Sequence, residues 1–401
     1  MNEATAKYIR EHADEDVRQL ALRGTKDPKV NLVFALDQIA GRQKAKRKLP
    51  MWARTEGVIY PPHLSMEQCS SEQTAKYKAA IAGNGKLLVD LTGGFGVDFS
   101  LMAQRFIKAV YVEQQGHLCE IARENFRLLG LSQAEVICND AVDYLQTMEH
   151  ADLIYLDPAR RDTHGARTYG ISDCTPDVLS LRDLLLERAD LILIKLSPML
   201  DWCKAVSDLG KQYVREVHIV SVGNECKELL LLLGKGEGCR IVCVNDEQVL
   251  VVNGDDKSNG AYGSDGAYEV DGVYWFDEIH QGLFLFEANA SIMKAGCFAE
   301  VSRRFHIGQV ARDSHLFVSA HYVNDFPGRT FQIEAVTTMN KRDLKQHLQG
   351  LKQANITIRN FPVTVAELRR RLKLNEGGSI YIFATTLASG DRVLIFCRKV
   401  V

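Results

Sequence analysis

The sequence predicts an α/β protein: an open, doubly wound parallel sheet of seven strands, a helical region in front of it and small α+β modules behind. Three observations lead there. From Lys86 to Gly234, short apolar runs alternate with helical stretches. Acids stand at or just after the ends of successive runs, at Asp90, Glu113, Asp140 and Asp157. The chain, 401 residues with 46% hydrophobic and 25% charged side chains, is too long for one core and too apolar for disorder.

Helices come first. Glu3 to Gly24 is rich in Ala, Leu, Arg and Glu, and Asn31 to Ile39 carries apolar residues near helical spacing. The basic run Arg42-Gln43-Lys44-Ala45-Lys46-Arg47-Lys48 stops at Pro50, and reads either as a nucleic-acid contact or as a solvated helix face. Pro61-Pro62 breaks the chain, and Ser65 to Ala80 predicts the helix that leads into the sheet. The expected strands are Leu87–Asp90, Ala109–Glu113, Ala134–Cys138, Leu153–Asp157 and Leu191–Lys195, with Val217–Val222 and Leu229–Leu233 around the turn Gly223-Asn224. Asn253 to Gly272, rich in Gly, Asp and Ser, reads as an exposed loop or boundary. Beyond it, Leu283–Phe286, a helix over 290–305 and Leu316–Ala320 predict one small α+β module. Phe331–Val336, helices from Lys341 and over 364–372, Asn355–Arg359 and two closing strands predict another. The expected domains are 1–64 (helical), 65–252 (the sheet), 273–325 and 326–401 (the modules).

Composition narrows the function classes. No apolar run approaches the roughly 18 residues that span a bilayer, and Met1-Asn2-Glu3-Ala4 lacks the basic start of a secretory signal, so a cytoplasmic protein with no membrane partner is expected. The ten cysteines form no C-x-x-C pair, which argues against a zinc knuckle, a metal centre or a disulfide framework. The net charge of −2 hides an asymmetry: Lys294 to Val401 holds 17 basic and 8 acidic residues, whereas the rest holds 32 and 43. An acidic front suits a cationic cofactor, and a basic tail suits a polyanion.

The strongest motif is Val89-Asp90-Leu91-Thr92-Gly93-Gly94-Phe95-Gly96-Val97-Asp98, an apolar strand ending in an acid and turning through glycines into a helix. Glycines there let backbone approach a ligand at the carboxyl end of the first strand. The dinucleotide pattern G-x-G-x-x-G is incomplete, because the third glycine position after Gly94 and Gly96 is Phe99. Glu113, 23 positions after Asp90, stands where an acid accepts ribose hydroxyls, and Asp140 with the Ala141 backbone suits an adenine edge. S-adenosylmethionine has no pyrophosphate and carries an ammonium and a sulfonium, so carboxylates at Asp90, Asp98 and Asp157 would attract it and repel NAD. Taken singly, each acid is equally a turn residue or a helix cap.

Together, Asp90-Leu91-Thr92-Gly93-Gly94-Phe95-Gly96, Glu113, Asn139-Asp140-Ala141 and Leu156-Asp157-Pro158-Ala159-Arg160 resemble the motif series of class I S-adenosylmethionine-dependent methyltransferases, over about Ser65 to Gly234. A narrower resemblance spans nearly the whole chain. Leu64 to Glu72, Ser221 to Leu229, Asp325-Phe326-Pro327-Gly328-Arg329 and the tail from Asn360-Phe361-Pro362 to Thr386 are similar to a bacterial methyltransferase group with a THUMP-like module behind the catalytic domain. The resemblance implies a Rossmann-like methyltransferase sheet, a ferredoxin-like segment over 288–319 and a THUMP-like module over about 331–401. It implies an enzyme with S-adenosylmethionine as cofactor, held by Asp90, Thr92, Gly93, Gly94, Gly96, Val97, Asp98, Glu113, Gln114, Asp140, Ala141 and Asp157, with Asp157, Pro158 and Arg160 on the catalytic side. THUMP modules occur in RNA-modifying enzymes, which implies RNA (tRNA or rRNA) as the partner.

Methyl transfer from a sulfonium needs an in-line nucleophile in a dry, oriented site more than strong acid–base help. Amino-group methyltransferases share an Asp/Asn-Pro-Pro-aromatic turn whose aromatic stacks on a flipped base, whereas this chain has Asp157-Pro158-Ala159-Arg160, which argues against a base amino group. Arg160 and Arg161 are candidates to hold a phosphate or a carboxylate, or to form an ion pair at a helix start. Cys69, Cys174, Cys203 and Cys226 are the candidate thiolates for carbon-5 methylation of a pyrimidine, each also readable as a structural thiol. Lys195, Glu225, Lys227 and Glu228 lie where acceptor-binding groups often fall in this fold, and 67–74 is a candidate cofactor lid. A protein or small-molecule methyltransferase, or a non-catalytic cofactor-binding protein, are the other open readings.

Overall fold

The computed structural model describes residues 1–61, 63–160, 170–236, 238–253 and 279–400, and the side chains of 63–65 and 160 are outside the description. Arg161 and nearly all of the expected loop 253–272 also lie outside it. The chain divides into two compact units: residues 1–215 with 228–237, and residues 216–227 with 238–401.

The first unit opens with six helices: α1 (Glu3–Glu11), α2 (Val17–Arg23), α3 (Leu32–Lys48), α4 (Pro50–Arg54), α5 (His63–Gln68) and α6 (Glu72–Ala82). The helical stretch 3–24 forms two helices, because Asp16 caps a fresh start, its carboxylate accepting from the Arg18 and Gln19 amides. Asn2 and Asn31 cap α1 and α3 in the same way. The Gln38 side chain makes two hydrogen bonds to the Tyr60 backbone, donating to its carbonyl and accepting from its amide, and Asn125 does the same with the Ile59 backbone. These two amides fasten the 58–60 segment to α3 and to the sheet layer.

The sheet follows: β1 (Gly85–Asp90), α7 (Val97–Met102), β2 (Phe106–Glu113), α8 (Gly116–Leu128), β3 (Ala134–Cys138), α9 (Ala141–Thr147) and β4 (Ala151–Leu156). A two-residue ribbon, β5 (Ala159–Arg160) with β6 (Cys174–Thr175), precedes α10 (Val178–Arg188), β7 (Ala189–Leu196) and α11 (Trp202–Leu209). β8 (Val214–Val222) and β9 (Glu225–Gly234) come next. In this unit the strand order is β9-β7-β4-β1-β2-β3, parallel except for β9. The unit thus holds six strands of the expected seven, because most of Val214–Val222 falls in the second unit. Val89 faces Val110 on one side and Ile154 on the other, a register that brings the tips of β1, β2 and β4 to one edge. From β1 the chain runs outward to β2 and β3, then returns to β4 and β7 on the opposite side. The crevice of such a sheet opens at that reversal, between β1 and β4.

In the second unit, β10 (Arg240–Asn245) lies parallel to β8 and forms a hairpin with β11 (Gln248–Asn253). Its signal, two apolar runs around Asn245-Asp246-Glu247-Gln248, is absent from the strands expected above. Then come β12 (Phe284–Ala288), α12 (Ala290–Ala295), α13 (Phe298–Phe305), β13 (Gly308–Gln309), β14 (Leu316–Ser319), β15 (Gly328–Thr338), α14 (Lys341–Leu348), β16 (Asn355–Arg359), α15 (Val365–Leu372), β17 (Ile380–Thr386) and β18 (Arg392–Lys399). The two expected modules share one sheet of seven strands, ordered β13-β14-β12-β15-β18-β17-β16. The eleven-residue β15 makes them one: its first half pairs with β12, and from Phe331 to Thr338 it pairs with β18 through a bulge at Ile333/Ala335. Along β18, Val393, Ile395 and Cys397 enter one core while Leu394 and Phe396 enter the other, under α14 and α15.

Candidate active site

β1 ends at Asp90, and the chain then turns through Gly93, Gly94 and Gly96 into α7. The loop is stitched to both neighbouring strands. Toward β4, the Leu91 amide donates to Tyr155 O (3.1 Å) and Thr92 Oγ1 accepts from the Asp157 amide (2.6 Å). Toward β2, the Gly94 amide donates to Glu113 Oε2 (2.9 Å) and the Tyr111 hydroxyl donates to Gly94 O (2.5 Å). Gly94 and Gly96 have φ of +56° and +81°, and a Cβ on Gly93 would lie 2.2 Å from the Tyr111 ring. Gly93→Ala is therefore expected to displace the loop from β2 and weaken ligand binding at least tenfold, with a stability loss of about 1–3 kcal/mol, read by calorimetry and thermal unfolding.

Five carboxylates converge on the β1/β4 crevice, in two environments. Asp90 is 1% exposed, and it accepts from the Thr92 amide at 2.9 Å with no cation at contact distance among the described residues. Burial, together with repulsion from Asp98, Asp157 and Glu113, pushes its carboxyl well above the usual carboxylate range against the pull of the Thr92 amide. Glu113, 8% exposed, accepts from the Gly94 and Gln115 amides. The other three are bound to lysines. Asp98 takes hydrogen bonds from the Ser70 and Tyr155 hydroxyls, both at 2.8 Å, and lies 3.2 Å from Lys78 Nζ. Burial alone would raise its pKa, but Lys78, Lys195 and the two hydroxyls outweigh burial and hold it low. Lys78, fully buried on α6, also pairs with Glu228 on β9 and donates to Ser70 Oγ. Lys195 on β7 pairs with Asp157 Oδ2 at 2.5 Å. The Asp157 side chain is 40% exposed, yet it lies deep enough in the crevice that desolvation raises its pKa, an effect Lys195 opposes. Burial likewise pulls Lys195 down, and Asp157, Asp98 and Glu228 together hold it up.

Asp90, Thr92, Gly93, Gly94, Gly96, Val97, Asp98, Glu113 and Asp157 are thus gathered around one strand edge, with Val97 and Pro158 buried. Asp140 and Gln114 are exposed. Asp140 caps α9, its Oδ1 accepting from the Val142 and Asp143 amides, just ahead of Ala141. The Arg160 backbone pairs with Cys174 in the β5–β6 ribbon. Burial raises the Cys69 and Cys226 thiols, and Cys174 is buried. In the second unit, Glu225 and Lys227 pair with each other. Within the basic run, Lys46 pairs with Asp14 at the surface, whereas Lys44 pairs with Glu67 and Lys48 donates to the Met66 and Glu67 carbonyls. This clamp holds the 66–70 segment, whose last residue, Ser70, reaches Asp98 and Glu228.

Lys78 and Tyr155 are absent from the sequence-based list. Lys78 had a signal, as the only cation on a helical face that otherwise carries Glu72, Thr74, Ala75, Ala79 and Ala82, all buried. Among the described residues no group of His, Cys, Asp and Glu is arranged to hold a metal, and no helix is long and apolar enough to cross a membrane.

A parallel sheet whose first strand turns through glycines beneath a ring of acids is the architecture of the α/β methyltransferases, and the comparisons agree. The chain belongs to the family of a protein from Porphyromonas gingivalis W83 whose crystal structure is described as that of a "putative methyltransferase". The two share 31% identity over 99% of this chain and 98% of that one, with a TM-score of 0.85. Residues 284–327 match a ferredoxin-like domain model and residues 328–399 a THUMP domain-like model. An rRNA methylase from Streptococcus thermophilus (16% identity, 41% of this chain and 96% of that one, TM-score 0.31) is also similar. So is the tRNA m1G37 methyltransferase of M. jannaschii (15%, 42% and 51%, TM-score 0.30), and both likenesses are too loose to bear on activity. No curated protein matches the chain.

Proposed function

We propose that this methyltransferase uses S-adenosylmethionine and acts on RNA. The carrying observation is the charge of the crevice: among the described residues Asp90, Asp98, Glu113, Asp157 and Glu228 are met by two lysines, the buried Lys78 and the largely buried Lys195, and Asp90 pairs with neither. A ligand bearing an ammonium and a sulfonium relieves that excess, whereas a pyrophosphate adds to it. In this reading the Gly93–Gly96 turn, with Thr92 and Val97, cradles the cofactor beside Asp90, and Glu113 takes the ribose hydroxyls while it pins Gly94. Gln114, Asp140 and Ala141 border the adenine, and Asp98 braces the pocket through Lys78. Asp157, with Pro158 and Arg160, meets the acceptor. The bound cofactor supplies the electrophilic methyl group, and the residues supply orientation and dryness.

The THUMP-like segment and its charge support RNA. Lys341, Arg342 and Lys345 on α14, Arg370 on α15 and Lys373 just after it are exposed and form no ion pair among the described residues. Replacing Lys341, Arg342 and Lys345 together by Glu is expected to weaken RNA binding at least tenfold and to flatten the slope of log K against log salt by about 2, read by filter binding at several salt concentrations. The deciding experiment incubates the protein and tritiated S-adenosylmethionine with total RNA, protein and metabolites from a strain lacking the gene. Label in RNA supports the reading; label confined to protein or small metabolites removes RNA from it.

A further inference from the structure

Lys195 makes a contact that cofactor binding does not require. Its Nζ lies 2.5 Å from Asp157 Oδ2 and its side chain is 13% exposed. Asp157 is held at its backbone as well, by the amide hydrogen bond to Thr92 Oγ1, and Pro158 fixes the chain directly after it. The 40% exposed carboxylate therefore has one oxygen occupied, while Oδ1 receives no donor among the described residues.

We propose that Lys195 is a positioning residue that sets the acceptor class: by occupying Oδ2 it leaves Asp157 a single oxygen, Oδ1, to accept the hydrogen of a neutral N–H or O–H nucleophile. This rests on the methyl-transfer reading above. The acceptor lone pair forms the new bond to the methyl carbon, and the carbon–sulfur bond breaks with its electron pair left on sulfur. The acceptor proton passes to Asp157 Oδ1 and from there to solvent. Methylation at carbon-5 of a pyrimidine would instead need a thiolate, and the nearby Cys69 thiol is raised by burial and donates to Met66 O.

The charges around Asp157 make Lys195 the decisive one. Lys78 from α6 and Asp98 from α7 act on it directly, and Asp90 on β1 and Tyr155 on β4 feel its charge. Glu228 on β9 and Lys48 on α3 act on Lys195 in turn. Without Lys195, burial and Asp98 together push the Asp157 carboxyl upward, so that it is protonated at a pH where it was ionised and can no longer take up the acceptor's proton.

Two measurements test this on Lys195→Met, with Lys195→Arg as the conservative variant and thermal unfolding as the folding control. The first follows the Asp157 carboxyl carbon by NMR in protein labelled with ¹³C-aspartate; its titration midpoint should rise by about one unit or more in Lys195→Met and return in Lys195→Arg. The second follows single-turnover methyl transfer to RNA from the deletion strain. The rate should fall about 100-fold in Lys195→Met, with the acid limb displaced to higher pH by the same amount as the NMR midpoint. S-adenosylmethionine affinity, by calorimetry, should change less than threefold. An unmoved midpoint and acid limb overturn the proposal, as does a loss of cofactor affinity in step with the rate. If wild-type protein methylates no RNA while the Lys195→Met midpoint still moves, the RNA reading falls and the Lys195–Asp157 role stands.

Discussion

Asp90→Asn is expected to weaken S-adenosylmethionine binding by about 100-fold or more while raising the melting temperature of the unliganded protein. The two effects have one cause. Asp90 is buried, meets no cation among the described residues, and is repelled by Asp98, Asp157 and Glu113, so its carboxyl titrates well above the usual range. Between the unfolded pKa and that raised value the folded state binds more protons than the unfolded state, and stability falls as pH rises through the interval. Asn removes both the charge and that slope. The same carboxylate is what an incoming ammonium would meet. Cofactor binding to the wild-type protein should therefore tighten with rising pH across this window and release a proton, seen as a dependence of the calorimetric heat on buffer ionisation enthalpy. A variant that binds normally, or that melts earlier than wild type, would show that Asp90 belongs to the structure and not to the pocket.

Lys78→Met carries the second large effect. Lys78 is wholly buried and is the shared partner of Glu228, Asp98 and Ser70. Its loss leaves two buried carboxylates uncompensated, at a cost of about 3–5 kcal/mol in denaturant unfolding. The cost should shrink at acid pH, where Asp98, no longer held low by Lys78, takes up a proton. Adding Glu228→Gln to Lys78→Met should recover roughly half of the loss, because a neutral buried pair avoids the desolvation that an orphaned ion suffers. Additive losses in the double variant would mean that the two side chains do not form a pair.

The strand tips were legible because parallel register lines up carboxyl ends: an acid closing each apolar run in the sequence has to arrive at one edge, and Asp90, Glu113 and Asp157 do. Which acids carry a counterion was not legible. Glu228 meets Lys78 across 150 positions of chain, and no spacing rule connects them. The basic run 42–48 shows the reverse problem. Its composition suits a polyanion, but Lys44 and Lys48, one helical turn apart, both bend onto the 66–67 segment. At the other end of the chain, each small module has its own period of strands and helices. The sequence carries no mark that β15 is long enough to serve both.

That long strand has a practical consequence. Stopping the chain at the boundary between the ferredoxin-like and THUMP-like matches, at 327/328, would strip β12 of β15 on one side while β14 stays on the other, and leave a raw row of amides and carbonyls open to self-association. The two segments make a single inheritable block: neither can be trimmed away, swapped between relatives or expressed alone without bringing the other half of its hydrogen-bonded seam.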